Sequence, residues 1–317
     1  MKNKISLQIN LAPGDYLHAR YTLKHQLDIL SEQVDEVILT IDTRPGKGRF
    51  AEGWESYKEL LNKFLAKEIE TSYAVKIVPV DYSASTKKKV AMHFFGQDNI
   101  PDKDFRGGPF YAYFFGMYSA ANDIVFHLDS DMFLGGGSQT WITEALWFYK
   151  SDPAYFVISP LPGPPHDAGI IKGQDVVDKI APYTWQLCGM STRIFLVDKS
   201  RFIKDKLVLT KPSLRNQVKA IVEGNHNVNL PEHLLSAFIR KHNLKRVDFL
   251  GTGTGLWSLH PPYRTSAFYE DLPNLLNRIY SNDLPKEQQG FYDIIDEVCN
   301  WSEAREGIKS NRWWKRY

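Results

Sequence analysis

Cysteine is nearly absent from this 317-residue sequence, which contains only Cys188 and Cys299. Two distant cysteines form no disulfide framework, and they match no zinc-binding motif. No apolar run is long enough to span a bilayer, and residues 1–11 alternate polar and apolar side chains where a signal peptide has an apolar core. We therefore expect a cytoplasmic protein, with peripheral contact at the inner face of a membrane as an open alternative.

An excess of charge of one sign is also missing. The 39 Lys and Arg residues nearly balance 37 Asp and Glu residues, which leaves a formal net charge of +2. A nucleic-acid-binding domain usually carries a basic face, so nucleic acid is not an expected partner. The composition is that of a folded protein, and the length suits one elaborated α/β domain with a large core.

Strand-like and helix-like segments alternate in the first half of the chain. Strands are predicted at 5–10, 34–42, 74–80 and 123–128, with helices at 16–32, 54–70 and 110–121. The second half is mixed, with strands at 154–159, 190–197 and 246–250 and a helix at 231–242. Alternation requires crossover connections and hence parallel strands. The predicted fold class is α/β, with a mostly parallel, Rossmann-like central sheet flanked by helices.

Two carboxylates follow the fourth predicted strand. Asp129 and Asp131 are two residues apart, so in an extended chain they point to the same side. Open α/β sheets bind ligands at the carboxyl ends of parallel strands. Paired carboxylates suit Mg²⁺ or Mn²⁺, which share phosphate oxygens and neutralise a departing diphosphate. A simple Asp-Ser-Asp turn is the alternative, but the buried strand before it and the three glycines at 135–137 favour a ligand site.

The segment 123–133, DIVFHLDSDMF, resembles the nucleotide-sugar-binding segment of GT-A glycosyltransferases, particularly the inverting family 2 type. Residues 106–108, 188–190 and 200–202 resemble flanking parts of that family. The resemblance implies a GT-A domain over 1–265 and a helical C-terminal extension over 266–317. Within that domain, residues 1–134 would bind the nucleotide sugar, and the mixed half at 135–265 would bind the acceptor.

The same resemblance implies roles for individual side chains. Asp131 would bind the metal ion directly, and Asp129, beside Ser130, would contact the ribose or a metal-bound water. His260, late in the domain, would complete the metal shell. The other expected donor-binding residues are Asp42, Arg44, Asp81, Lys87 and Arg106.

Inverting transfer also needs a general base that takes the proton of the acceptor hydroxyl. In the resembled family the base belongs to an acidic pair at a helix start, and Glu232 has that position here, directly after Pro231. The helix dipole lowers a carboxylate pKa and weakens it as a base. His233 also stands where a second acid is expected, so Glu232, His233 and the loop residue Asp167 are all candidates.

Three other functions fit parts of the pattern. Haloacid-dehalogenase-like phosphatases also end a strand in Asp-x-Asp, but near the N-terminus and with Thr or Val where Phe133 stands. A sugar nucleotidyltransferase would carry a Gly-rich, Arg-containing loop after the first strand, where residues 11–15 read LAPGD. A non-catalytic nucleotide-sugar-binding protein would keep the fold, and the altered Glu232-His233 pair is compatible with one.

The leading prediction is an enzyme, a metal-dependent glycosyltransferase that moves a sugar from a nucleotide-diphosphate sugar to an acceptor hydroxyl with inversion. A UDP-sugar is the expected donor, Mn²⁺ or Mg²⁺ the expected cofactor, and a saccharide or a lipid-linked molecule the expected acceptor. The last six residues, RWWKRY at 312–317, mix cations with aromatic rings. They either pack on the domain or contact an anionic membrane surface.

Overall fold

A computed structural model describes residues 4–45 and 53–310. The strands are β1 (Ile5–Leu11), β2 (Glu36–Ile41), β3 (Lys76–Pro79), β4 (Ile124–Asp129), β5 (Phe133–Gly135), β6 (Tyr155–Pro162), β7 (Val176–Ala181), β8 (Thr184–Leu187), β9 (Ile194–Asp198), β10 (Lys245–Phe249) and β11 (Trp257–Leu259). The α-helices are α1 (Tyr16–Leu30), α2 (Trp54–Phe64), α3 (Ala84–Phe95), α4 (Tyr111–Ser119), α5 (Trp141–Ser151), α6 (Arg201–Lys204), α7 (Leu214–Val222), α8 (Pro231–Lys241), α9 (Ser266–Tyr280) and α10 (Ser302–Ser310).

Within the described residues, no helix combines the length and apolar character needed to cross a bilayer. The predicted tail at 312–317 lies outside the described residues.

One large sheet organises the molecule, in the strand order β3-β2-β1-β4-β9-β6-β10-β8-β7, with β11 joining β6 to β5. The four strands β3-β2-β1-β4 are parallel, as the alternation of strands and helices predicts. Beyond β4 the pairing changes, because β9 runs antiparallel between β4 and β6, and β8 and β7 are antiparallel as well. The sheet as a whole is therefore mixed and not mostly parallel as predicted, whereas the prediction of a mixed second half is confirmed, because β10 and β11 pair with β6 in parallel. There the chain connects β7 to β8 by a tight turn, which needs no helical crossover.

Both faces of the sheet are covered by helices. On β4, Phe126 packs with apolar side chains of α1, α2 and α5, while its neighbour Val125 packs on the other face with α3, α4 and α8. This two-sided burial explains why the central strands read as nearly continuous apolar runs. A third cluster joins α9, β5 and β11 around Trp301, so the segment after residue 265 packs against the sheet.

Candidate functional site

The Asp129-Ser130-Asp131 turn lies at the carboxyl ends of β1 and β4, where Asn10 is the register partner of Asp129. Helix α1 holds this turn through three buried polar side chains spaced four residues apart. His18 Nε2 lies 3.0 Å from Ser130 Oγ, and Thr22 Oγ1 donates to the Ser130 carbonyl at 2.5 Å. Gln26 Nε2 donates to the carbonyls of residues 129 and 132 at 3.0 and 2.8 Å. Because α1 ties down its backbone, the turn is a rigid platform for the two carboxylates.

Asp131 is buried, and its two carboxylate oxygens differ. Oδ2 accepts a hydrogen bond from Arg264 Nη2 at 2.6 Å, whereas Oδ1 is buried and has no partner among the described residues. Burial alone would raise the pKa of Asp131, but the charge of Arg264, which also donates a hydrogen bond to it, holds it well below its usual range. Arg264 also reaches Asp15 Oδ1 at 3.3 Å, where burial raises the pKa of Asp15 to about 6 against that charge.

His260 stands beside Asp131, with Nε2 3.9 Å from Oδ2. Its Nδ1 lies 2.9 Å from Asp293 Oδ1, and the Tyr292 ring stacks on it with centroids 5.9 Å apart. If Nδ1–H donates to Asp293, Nε2 keeps its lone pair and faces Asp131. Metal-binding histidines usually have such a carboxylate partner on the second nitrogen.

These side chains fit a divalent cation as a partial site. Two ligands that are each about 2.1 Å from one ion stand about 3–4 Å apart, and the separation of 3.9 Å between His260 and Asp131 falls in that range. The unpartnered Oδ1 of Asp131 is a further free ligand atom. Across the described ranges, no three His, Cys, Asp or Glu side chains converge as a complete cage. The remaining positions would fall to phosphate oxygens and water, as is usual for Mg²⁺ at nucleotide sites.

Asp129 is about one-third exposed, and its Oδ1 lies 3.4 Å from His127 Nε2. A buried polar network behind it crosses the three neighbouring strands β2, β1 and β4. His127 Nδ1 lies 2.6 Å from Gln8 Oε1, and Gln8 Nε2 donates to Thr40 Oγ1 and Asn10 Oδ1, each at 2.8 Å. The polar side chains of β1 therefore lie behind Asp129, and the Asp129 carboxylate is accessible to solvent.

Arg193 is a cation at this site that no sequence motif marks. In the described part of the chain its side chain forms no hydrogen bond or close ion pair. Burial lowers the pKa of Arg193, but the acidic side chains around it raise it overall, namely Tyr292, Asp131, Asp129 and Asp293. An arginine without a close partner beside two acceptor-only carboxylates is suited to bind the oxygens of a phosphate.

Glu232 is the candidate base that has an electrostatic neighbour in common with this cluster. It is half-buried in the first turn of α8, and both Glu232 and Asp129 lie within electrostatic range of the buried Tyr113 hydroxyl. His233 is exposed, with Nε2 3.8 Å from Glu232 Oε1. Asp167 is exposed in the loop after β6, where its backbone N–H donates to Gln289 Oε1 at 3.4 Å.

Three of the predicted donor-binding residues, Asp42, Arg44 and Lys87, gather near the ends of β2 and β3. Asp42 is buried and accepts from Tyr82 Oη at 2.6 Å and from Lys103 Nζ at 3.0 Å. Arg44 and Lys87 both bind Asp102, at 2.7 and 2.5 Å. These bonds bring Asp42, Arg44 and Lys87 into one polar wall.

Two other predicted donor residues have local partners. The Asp81 carboxylate accepts from Ser83 N at 2.8 Å and from Thr86 Oγ1 at 2.6 Å, at the start of α3. Arg106 is exposed, with its guanidinium 5.2 Å from the Phe105 ring centroid. Helix α3 itself was not predicted, because its first turns are a Lys-rich run that lacks apolar periodicity.

Sequence reasoning missed Arg193, Arg264 and Asp293. Each is a charged residue in a loop or turn, and nothing in the local pattern relates it to the Asp129–Asp131 turn. The polar row His18, Thr22 and Gln26 did carry a signal, because polar residues four apart on an otherwise apolar helix face require a buried partner.

No protein-family model matches the sequence, and no curated protein matches it. Among solved structures, the chain is similar to UDP-glucose pyrophosphorylase complexed with UDP-glucose, at 9% identity over 87% of this chain and 99% of that chain, with a TM-score of 0.45. It is similar to CMP:2-keto-3-deoxy-manno-octonic acid synthetase complexed with CTP, at 13% identity over 87% and 99%, with a TM-score of 0.40. It is also similar to S. aureus TarS 1–349, at 12% identity over 98% and 75%, with a TM-score of 0.36. Because these TM-scores lie below 0.5, a function can be inferred only from the side chains of the site.

Proposed function

We propose that the protein is a glycosyltransferase that moves a sugar from a nucleotide-diphosphate sugar to an acceptor hydroxyl. The observation that carries the proposal is one cluster at the carboxyl ends of β1 and β4. It combines a buried carboxylate that has a free oxygen, a histidine oriented by Asp293, and two arginines. Such a mixture of acids and cations suits a diphosphate, which carboxylates alone would repel.

Asp131 and His260 would hold Mn²⁺ or Mg²⁺, with Asp129 beside them, and the ion would neutralise charge on the diphosphate. Arg193 would donate hydrogen bonds to the phosphate oxygens. The polar wall formed by Asp42, Arg44 and Lys87 would bind the nucleoside of the donor. A UDP-sugar as donor rests on the resemblance of the Asp129–Asp131 segment.

In the transfer step, the acceptor oxygen bonds to the anomeric carbon while the bond from that carbon to the diphosphate oxygen breaks. The acceptor proton passes to a base, which we assign to Glu232 because it shares Tyr113 as a neighbour with Asp129. Attack from the side opposite the leaving diphosphate inverts the anomeric centre. The division into a donor half at 1–134, an acceptor half at 135–265 and an extension from 266 belongs to this proposal.

Transfer without a metal ion is the second candidate, and the bond of 2.6 Å between Arg264 and Asp131 favours it. In this case Arg264 and Arg193 would supply the positive charge for the leaving diphosphate. The two candidates differ in one property, because only the first requires Asp131 to bind a metal ion.

Thermal unfolding in the presence of nucleotide sugars tests the proposal, because a ligand that binds the folded state raises its stability. We expect one nucleotide sugar to raise the melting temperature with Mn²⁺, to lose that effect in EDTA, and to lose it in Asp131→Asn. Stabilisation that survives EDTA would select the metal-free candidate. If no nucleotide sugar stabilises the protein under either condition, and none yields a nucleoside diphosphate, the proposed function is wrong.

A further inference from the structure

Helix α7 presents an apolar face to solvent. Leu214, Val218, Ile221 and Val222 are 81%, 62%, 66% and 82% exposed. At about 100° per residue, these four side chains fall within an arc of about 100° on one side of the helix, the width of an apolar stripe that normally faces a core. Ala220, on the opposite side, is fully buried. The side of the helix that carries Ala220 thus packs against the protein, and the side that carries the large aliphatic residues is exposed.

Cations flank this face along one edge and at its N-terminal end. Arg215 and Lys219 follow the apolar arc along one edge of the helix, and Lys211 precedes its first turn. Over residues 203–223 the sequence contains five Lys or Arg and two acidic residues, a net charge of +3 in a chain whose total is +2. Lys219 shares its charge with Glu223, 3.7 Å away, whereas Lys211 and Arg215 form no ion pair among the described residues.

We propose that α7 is a membrane-docking helix, whose aliphatic face enters the interface of an anionic bilayer while the flanking cations contact lipid phosphates. Two observations favour a bilayer over a protein partner. The exposed face is purely aliphatic, whereas protein hot spots are enriched in Trp, Tyr and Arg and depleted in Leu and Val. Its cations lie at the border of the apolar arc, where an in-plane amphipathic helix meets headgroups. One short helix gives reversible binding, because stable anchoring needs a second signal.

Co-sedimentation of the full chain with vesicles tests this proposal independently of transfer activity. We expect binding to vesicles of phosphatidylcholine with phosphatidylglycerol, weaker binding to phosphatidylcholine alone, and release by high salt. Val218→Ser and Ile221→Ser should each weaken binding by about tenfold, the value of one buried aliphatic side chain. Lys211→Gln and Arg215→Gln should each weaken it by about fivefold.

Val177→Ser in β7 is the matched control, because Val177 is 58% exposed and so nearly as exposed as Val218. Unchanged melting temperatures would show that all these variants fold. Equal binding of wild type and Ile221→Ser, or equal loss in Val177→Ser, would overturn the proposal. Loss of binding only in Trp313→Ser with Trp314→Ser would assign the contact to the C-terminal tail instead. A concentration-dependent dimer that Ile221→Ser abolishes, without vesicle binding, would assign the face to a second copy of the chain.

Discussion

At the scale of single residues, the chemistry of the site depends on the partner of Asp131. A buried carboxylate needs a cation, and both Arg264 and a metal ion can supply one. The guanidinium is bonded to Oδ2, and Oδ1 accepts no hydrogen bond from any residue that the structure describes. Arg264 and a divalent ion therefore compete for the same negative charge.

Replacing Arg264 by Gln should strengthen Mn²⁺ binding, because the competing charge is removed while Asp131 and His260 remain. It should also lower the melting temperature in EDTA, since Asp131 and Asp15 both lose their cation, and Mn²⁺ should restore part of that loss. Calorimetric titration and thermal unfolding measure the two effects, with Arg264→Lys as the control that keeps the charge. Weaker Mn²⁺ binding in Arg264→Gln would contradict the competition.

The identity of the base is a second prediction at this scale. Glu232→Gln should keep donor binding and reduce turnover by a factor of about 10²–10⁴, the usual contribution of general acid–base catalysis. His233→Ala and Asp167→Asn should retain most activity, because both side chains are exposed. Steady-state kinetics with a fixed acceptor compares the three variants. If His233→Ala loses most of its turnover while Glu232→Gln keeps near-normal turnover, the general base is the imidazole of His233.

At the scale of the elements, helix α4 crosses β1 at a glycine, and this close approach creates the polar network behind Asp129. A Cβ at Gly116 would lie 2.6 Å from Gln8 Nε2 and 2.7 Å from Asn10 Oδ1. The two atoms are hydrogen-bonded to each other beneath the helix, and Gln8 is fully buried, so they have little room to move.

Gly116→Ala should therefore destabilise the protein by about 1–3 kcal/mol, the usual cost of overpacking, although alanine is the better helix former by about 1 kcal/mol. Gly307→Ala in α10 is the matched control, because a Cβ there meets nothing within 4 Å. We expect that variant to be neutral or slightly stabilised. Urea unfolding measures both, and equal stability of the two variants would contradict the predicted role of Gly116.

The sequence predicts the elements that have strong local patterns. Strands β1, β2 and β4 have apolar or alternating patterns, so the parallel half and the position of Asp129 at the end of β4 were predicted. Strand β7 is exposed on both faces, so its sequence has no alternation of apolar and polar residues. Helix α3 was not predicted because its first turns are basic and lack apolar periodicity. Arg264 and Asp293 lie more than 100 residues from the turn that they complete, and such distant contacts have no signature in a single sequence.

At the scale of the whole molecule, buried neutral histidines connect separate elements. His25 on α1 accepts the Leu134 backbone N–H at Nε2, at 2.9 Å, and its Nδ1 lies 2.8 Å from Tyr280 Oη at the end of α9. Burial lowers the pKa of His25 to about 4 and that of His18 to about 3. Protonation of His25 would break the bond to Leu134, so the contact of α1 with β5 and α9 requires the neutral ring.

Stability should therefore fall as the pH is lowered from about 6.5, the unfolded pKa of histidine, toward about 4, the folded pKa of His25. In this window the unfolded chain binds a proton that the folded chain excludes, and each such histidine contributes a slope of up to about 1.4 kcal/mol per pH unit. The contribution of Asp15 to the pH dependence of stability has the opposite sign up to its folded pKa of about 6. Below that pH the folded chain keeps a proton on Asp15 that the unfolded chain has released. The comparison with His25→Gln separates these contributions, since glutamine can accept from Leu134 and donate to Tyr280 without titrating. Urea unfolding free energies at several pH values between 5 and 7.5 should show a shallower slope for His25→Gln, and parallel slopes would mean that folding does not lower the pKa of His25.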